Sequence, residues 1–325
     1  MPRPHRNPAR GARQPRQARS APLPPNRTPL IIAHRGASED VAEHTLPAYL
    51  SAIEAGADGL ECDVRLTRDG HLVCVHDRTV DRTSNGRGVV SELELARLRE
   101  LDFQSWHDEL PGAAGELLAD GPEFAGSSSD GSYLAGVAAD RLDPESSKVL
   151  TLETLLAVVK DASRPIKLLI ETKHPTRYGG LVEKELVHLL ERFNWAGKRT
   201  DGGPADSGFD NGVGSRDPVT IMSFAPIALR RIRLLAPGVP LVLLMDRSMS
   251  MRRDGSLPTG VRTVGPSIRL IRANPDYVHR AHQEGNRIFC WTVDEPADAR
   301  LVADLGVDAI ITNRPRRIRA SLTDR

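Results

Sequence analysis

Two histidines, three carboxylates and two basic residues stand at the ends of apolar runs in this chain. His34 and Arg35 close Leu30-Ile31-Ile32-Ala33, and His76 closes Leu72-Val73-Cys74-Val75. Glu61 and Asp63 lie within Gly59 to Leu66, and Glu171 and Lys173 close Leu168-Leu169-Ile170. Side chains alternate along a strand, so Glu61 shares a face with Asp63, and Glu171 with Lys173. Burying such charges is costly unless they pair or hold an ion. Carboxylates are hard ligands that suit Mg²⁺ or Ca²⁺ rather than a soft metal. Imidazole titrates near neutrality and can take or give a proton. The set therefore predicts a divalent cation flanked by an acid and a base.

The elements that must hold these residues repeat. Strand-like runs over 30–33, 59–66, 71–76, 166–172, 219–223, 240–245, 267–271, 287–293 and 308–312 alternate with helical patterns. Helices are expected from Thr45 to Gly56, from a capping box at Ser91-Glu92-Leu93-Glu94 to Leu101, and over 151–161, 181–192, 226–235, 275–284 and 296–305. Pro226, Pro275 and Pro296 suit first helical turns. Only Arg68-Asp69-Gly70 separates the second strand from the third, too short a link for parallel strands, so these two form a hairpin. Eight parallel strands remain, the number in a TIM (β/α)8 barrel, whose sites lie at the C-terminal ends of the strands. An open doubly wound sheet is disfavoured, because no glycine-rich phosphate loop follows the first strand. Within the hairpin, a two-residue turn sets Asp63 opposite His76, and a three-residue turn shifts the pairing by one. The chemistry favours the first register.

Residues 1–28 carry seven arginines and no acid, rich in Pro and Ala, and are expected to be a disordered tail. Without them, 37 basic residues face 43 acidic ones, about −6, which argues against a nucleic-acid partner. The folded unit is expected over 29–318, followed by a short tail over 319–325. Residues 103–148, rich in Gly, Ser and Asp, read as an insertion, lid or disordered, and 197–217 and 247–264 as loops. No run has the length of a membrane span and no secretory signal is visible, so a cytoplasmic setting is expected. Cys62, Cys74 and Cys290 lie in apolar runs and read as core residues rather than a disulfide framework.

The stretches HRGASEDVAEHTLPAY, GADGLECDVRLTRDGHLVCVHDRTVDRTSNGRG, LLIETK, IMSF, FCWTVDEP and DAIITNRP resemble those of the glycerophosphodiester phosphodiesterases and span about residues 30–316. The resemblance implies a TIM barrel, a divalent metal (Mg²⁺ or Ca²⁺), and hydrolysis of a small-molecule glycerophosphodiester to glycerol 3-phosphate and an alcohol. It implies His34 and His76 as the catalytic pair, and Glu61, Asp63 and Glu171 as metal ligands. Arg35 and Lys173 would contact phosphate, and Trp291 would shape a glycerol pocket. Many relatives carry Asn where this chain has His44. Glu43 and Asp77 are expected to orient the site, and Asn85-Gly86 to form a turn. His71, His107, His174 and His188 have no supporting constellation. The rival reading is a lysophospholipase D-like or phospholipase C-like lipid phosphodiesterase on the same barrel.

Overall fold

The computed structural model describes residues 28–107, 147–177, 179–197, 218–246 and 255–323. Residues 1–27 of the expected N-terminal tail, nearly all of the 103–148 insertion, residues 198–217 and residues 247–254 lie outside the described residues.

The strands are β1 (Leu30–His34), β2 (Gly59–Leu66), β3 (Leu72–Cys74), β4 (Lys167–Thr172), β5 (Val219–Ser223), β6 (Leu241–Met245), β7 (Thr263–Pro266), β8 (Arg287–Cys290) and β9 (Ala309–Thr312). β1 pairs in parallel with both β2 and β9, and β4 to β9 fill the ring between them. Among the described residues, eight parallel strands thus close into a barrel, with β3 antiparallel on the upper half of β2. Helices surround it: α1 (Leu46–Glu54), α2 (Leu95–Arg99), α3 (Leu152–Asp161), α4 (Leu181–Arg192), α5 (Pro226–Leu235), α6 (Ile268–Ala273), α7 (Asp276–Gln283), α8 (Pro296–Leu305) and α9 (Pro315–Thr323).

Strand alternation divides the core. Ile31 and Ala33 of β1, Leu60, Cys62 and Val64 of β2, and Leu168 and Ile170 of β4 pack outward against helices. Ile32, Leu169, Met222, Val242, Leu244, Phe289, Ala309 and Ile311 fill the barrel interior. Two residues beyond Ile32 is His34, and two beyond Leu169 is Glu171. The inward row thus passes from packed hydrocarbon to charge at the C-terminal mouth. Cys62, Cys74 and Cys290 are free and buried, as expected.

Four expectations need correction. The hairpin pairs Val64 with Cys74, Arg65 with Val73 and Leu66 with Leu72, the register of a three-residue turn. Asp69 accepts from the Thr67 hydroxyl at 2.7 Å and from the Leu95 amide at 3.0 Å, which fixes that turn. β3 stops at Cys74, so His76 is steered from outside the ladder: Arg65 Nε and Nη2 donate to its carbonyl at 3.0 and 2.6 Å. The Ser91 capping box does not form. Residues Val90–Glu92 make a 3₁₀ turn, α2 begins only at Leu95, and Asp69 supplies the cap from the hairpin. The run expected as a strand over 267–271 is instead α6, and the seventh strand lies just before it. Leu270 and Ile271 are both buried although adjacent, as on a helix face and unlike a one-sided strand. Finally, residues 319–323, expected as tail, continue α9. Elsewhere Thr45 caps α1 through the Ala48 amide, Pro226 and Pro296 open α5 and α8, and Pro275 stands just before α7.

The turn after His34 depends on Gly36. Its φ is +88°, and a Cβ there would lie 2.7 Å from the backbone carbon and the Cβ of Ala48 in α1. Gly36→Ala is expected to cost about 1–3 kcal/mol, the usual penalty for overpacking. A lowered urea midpoint at constant m measures it, and an unchanged midpoint would show that α1 yields freely.

Candidate active site

A cavity of about 130 Å³ opens at the C-terminal mouth of the barrel. His34, Arg35, Glu61, His76, Glu171 and Lys173 form its polar side, and Met222, Phe224, Leu244, Trp291 and Ile311 its apolar side. Seven of the eight residues expected from sequence therefore line one pocket, and Asp63, the eighth, is bonded to two of them. A larger cavity of about 730 Å³ lies between the hairpin turn, α3 and α4, but it holds none of these groups. Volume alone does not locate the chemistry.

Glu61, Asp63 and Glu171 are buried, and each offers an oxygen within 4.8 Å of the others. That limit lies within twice the longest Ca²⁺–oxygen bond of about 2.6 Å, while two Mg²⁺–oxygen bonds of about 2.1 Å reach across about 4.2 Å. Arg35 and Lys173 only partly offset the three charges. Arg35 Nε lies 3.1 Å from Asp63 and the Arg35 amide donates to Glu61 at 3.1 Å. Lys173 Nζ lies 2.9 Å from Glu171 and 3.3 Å from Asp63. Burial, then Asp63 and Glu171, push the Glu61 carboxyl well above the usual range. Burial also raises Glu171, to about 7, with Lys173 opposing and Asp63 adding to the rise. Burial would raise Asp63 too, but Lys173, His76 and Arg35 outweigh it and hold it well below the ordinary value. Three clustered carboxylates, two of them raised by burial and then by their carboxylate neighbours, are hard oxygen ligands that fit Mg²⁺ or Ca²⁺.

The histidines differ in their surroundings. His34 is pushed down to about 3, chiefly by burial and then by Arg35, so its ring is neutral at pH 7. Its Nδ1 lies 2.7 Å from Asn313 Oδ1. His76 Nδ1 lies 2.7 Å from Asp77 Oδ1, a carboxylate, and a carboxylate only accepts, so this nitrogen carries a proton.

Glu43 and Asp77 are joined by Arg82, which donates to Glu43 at 2.7 and 3.0 Å and to Asp77 at 2.7 Å. Arg35 donates to Glu43 at 3.2 Å, so the bridge runs from the His34 turn to the His76 turn. Both Arg35 and His44 hold left-handed backbone, with φ of 59° and 60°. His44 Nε2 contacts Asp63 at 3.0 Å and Nδ1 contacts the Tyr49 hydroxyl at 2.8 Å. Trp291 is anchored by Nε1 donating to Gly265 O at 2.7 Å, and Phe224 meets it edge-on at 5.4 Å. His71, His107, His174 and His188 do not line the pocket. Sequence reasoning missed the parts played by Arg65, Arg82, Asn313 and Phe224. All four sit within the recognised stretches, but no local pattern marks what each of them contacts.

The chain matches the model of the Glycerophosphoryl diester phosphodiesterase family over residues 34–317. It is 41% identical over 296 residues to a Mycobacterium tuberculosis protein named probable glycerophosphodiester phosphodiesterase 1, covering 91% of this chain and 93% of that one. It is 30% identical over 286 residues to a glycerophosphodiester phosphodiesterase of Caldanaerobacter subterraneus, covering 88% and 94%. Among solved structures it resembles an Oleispira antarctica phosphodiesterase in complex with the product sn-glycerol-3-phosphate. There the TM-score is 0.64 at 18% identity, over 91% of this chain and 97% of that one, a likeness of fold.

Proposed function

Because the chain belongs to the glycerophosphoryl diester phosphodiesterase family, we propose that it hydrolyses glycerophosphodiesters to glycerol 3-phosphate and an alcohol. The observation that carries this reading is the convergence of both imidazoles, Glu61, Glu171, Arg35 and Lys173 on one small pocket, with Asp63 clustered against the two glutamates. Glu61, Asp63 and Glu171 would hold a divalent cation, which when bound neutralises charge on the phosphate and so favours attack. Arg35 and Lys173 face the pocket from beside the triad and orient the phosphate, one as a fork and one as a point charge. His34, neutral with Nδ1 engaged by Asn313, leaves Nε2 to take a proton from the attacking oxygen, that of water or that of a substrate hydroxyl whose cyclic phosphate water then opens. His76, held by Asp77, gives a proton to the departing alkoxide. Phe224 and Trp291 supply an apolar wall for the carbon skeleton.

Product analysis tests this with glycerophosphocholine, glycerophosphoethanolamine and lysophosphatidylcholine, each with and without chelator. Glycerol 3-phosphate from the first two, lost with chelator, is expected. Turnover of lysophosphatidylcholine alone would move the assignment to a lipid phosphodiesterase.

Cation affinity should depend on pH. With Glu171 raised to about 7, a proton occupies it below that pH and must leave when a cation binds. Affinity for Mg²⁺ or Ca²⁺ is expected to rise with pH, by about tenfold per pH unit for each bound proton displaced, that of Glu171 and that of the likewise raised Glu61. Calorimetric titration at pH 5.5, 6.5 and 7.5 reads this, and a flat profile would remove Glu171 from the cation site.

A further inference from the structure

We propose that Asp294, outside the pocket, is a positioning residue that fixes the tautomer of His34 through Asn313. Its catalytic meaning rests on the role given to His34 above. Asp294 follows β8 and Asn313 follows the neighbouring β9. Among the described residues, the hydrogen bonds to the Asp294 carboxylate all come from donors: Asn313 N at 2.8 Å and Thr312 Oγ1 at 2.9 Å on Oδ1, and Asn313 Nδ2 at 2.7 Å on Oδ2. A flipped Asn313 would set its carbonyl oxygen at that 2.7 Å, acceptor against acceptor. The Asn313 amide nitrogen therefore faces Asp294, and its Oδ1 faces His34 Nδ1 at 2.7 Å.

An amide oxygen only accepts, so His34 Nδ1 carries the ring proton. Nε2 is then the nitrogen with a lone pair for the pocket that His34 lines. Ser38 does not decide the matter. Its hydroxyl lies 2.9 Å from Asn313 Oδ1 but can donate to the His34 carbonyl at 2.8 Å whichever way the amide faces. The choice of tautomer falls to Asp294.

Asp294→Asn then has a directional consequence. The new amide must keep its oxygen toward Asn313 N and Thr312 Oγ1, which donate at the Oδ1 position. Its nitrogen replaces Oδ2 and turns Asn313 over, presenting an N–H to His34 Nδ1. His34 must then accept at Nδ1 and carry its proton on Nε2, where it cannot act as a base. Adding Asn313→Asp restores an acceptor to both sides, because the carboxylate so introduced accepts both from the new amide and from His34.

The test uses the full chain labelled with ¹⁵N-histidine at neutral pH, the His34 signals being assigned by their absence in His34→Gln. Wild-type protein should show Nδ1 protonated and Nε2 bare. D294N should reverse the two, with kcat down about 10–100-fold, as for outer partners of a site, and KM little changed. The D294N/N313D double variant should regain the wild-type tautomer and a kcat within a few-fold of normal. A wild-type His34 protonated at Nε2 overturns the relay whatever the activity, as does D294N with an unaltered tautomer. If D294N fails to fold, the wild-type spectrum and the double variant decide it. Whether His34 takes part in catalysis at all is read separately, from His34→Ala.

Discussion

His34→Ala and His76→Ala should each lower kcat by about 10²–10⁴-fold, the usual worth of a general acid–base group. The barrel should survive both changes. His34 is the last residue of β1, and its ring touches Asn313 at the mouth rather than the packed interior of Ile32, Leu169 and Phe289. His76 lies beyond β3, held through its carbonyl by Arg65, a contact that Ala keeps. KM should change less than kcat, since Arg35 and Lys173 remain to hold the phosphate. The double variant should be little worse than the poorer single one, because two groups that act as a unit are not additive. Stopped or continuous assay of glycerol 3-phosphate release, beside thermal melts, gives both numbers. Near-normal kcat in either folded single variant would end the paired acid–base reading and leave catalysis to the cation and the basic residues alone.

Much of this arrangement is legible because a strand has a period of two. Ile32 then His34, and Leu169 then Glu171, step along one inward face from hydrocarbon to chemistry. Each step can be followed along the sequence without knowing the fold. Partners that arrive from distant elements are not legible in this way. Asn313 meets His34 across 279 positions, and Arg82 meets Glu43 across 39. The hairpin register failed for a related reason. Two- and three-residue turns compete for the same Arg68-Asp69-Gly70, and the winner is set by the Leu95 amide at the start of α2. The seventh strand, only four residues ending in Gly265-Pro266, has too little alternation to stand out beside the apolar run of α6.

Chelation should abolish turnover, and Mg²⁺ or Ca²⁺ should restore it, because the triad carries more negative charge than its neighbours offset. Burial raises Glu61 and Glu171 above their ordinary values even with Lys173 2.9 Å from Glu171. Glu61→Gln keeps the shape of the side chain and removes one anionic ligand. It should weaken cation binding by at least the roughly 10–100-fold that outer partners of a metal site are worth, with a matching loss of activity at limiting cation. Glu171→Gln should do the same and adds a readout in the metal-free protein. A carboxyl raised in the folded state contributes stability that is present below its unfolded value and lost as pH rises through its folded value of about 7. Removing that carboxyl should therefore stabilise the metal-free protein at pH 8 but not at pH 4. The gain should reach at most about 3 kcal/mol, since each tenfold difference in proton affinity between folded and unfolded chain is worth about 1.4 kcal/mol. Loss of the Lys173 contact reduces this gain without reversing its pH dependence, since Lys173 retains Asp63 at 3.3 Å. Melts at the two pH values, with and without cation, separate a ligand from a structural acid: a ligand variant gains stability when metal-free and loses the stabilisation that added cation gives the wild type. Full activity in excess chelator, with bound metal shown to be nil, would sink the cation site, and an E171Q protein equally destabilised at both pH values would make Glu171 a structural partner of Lys173.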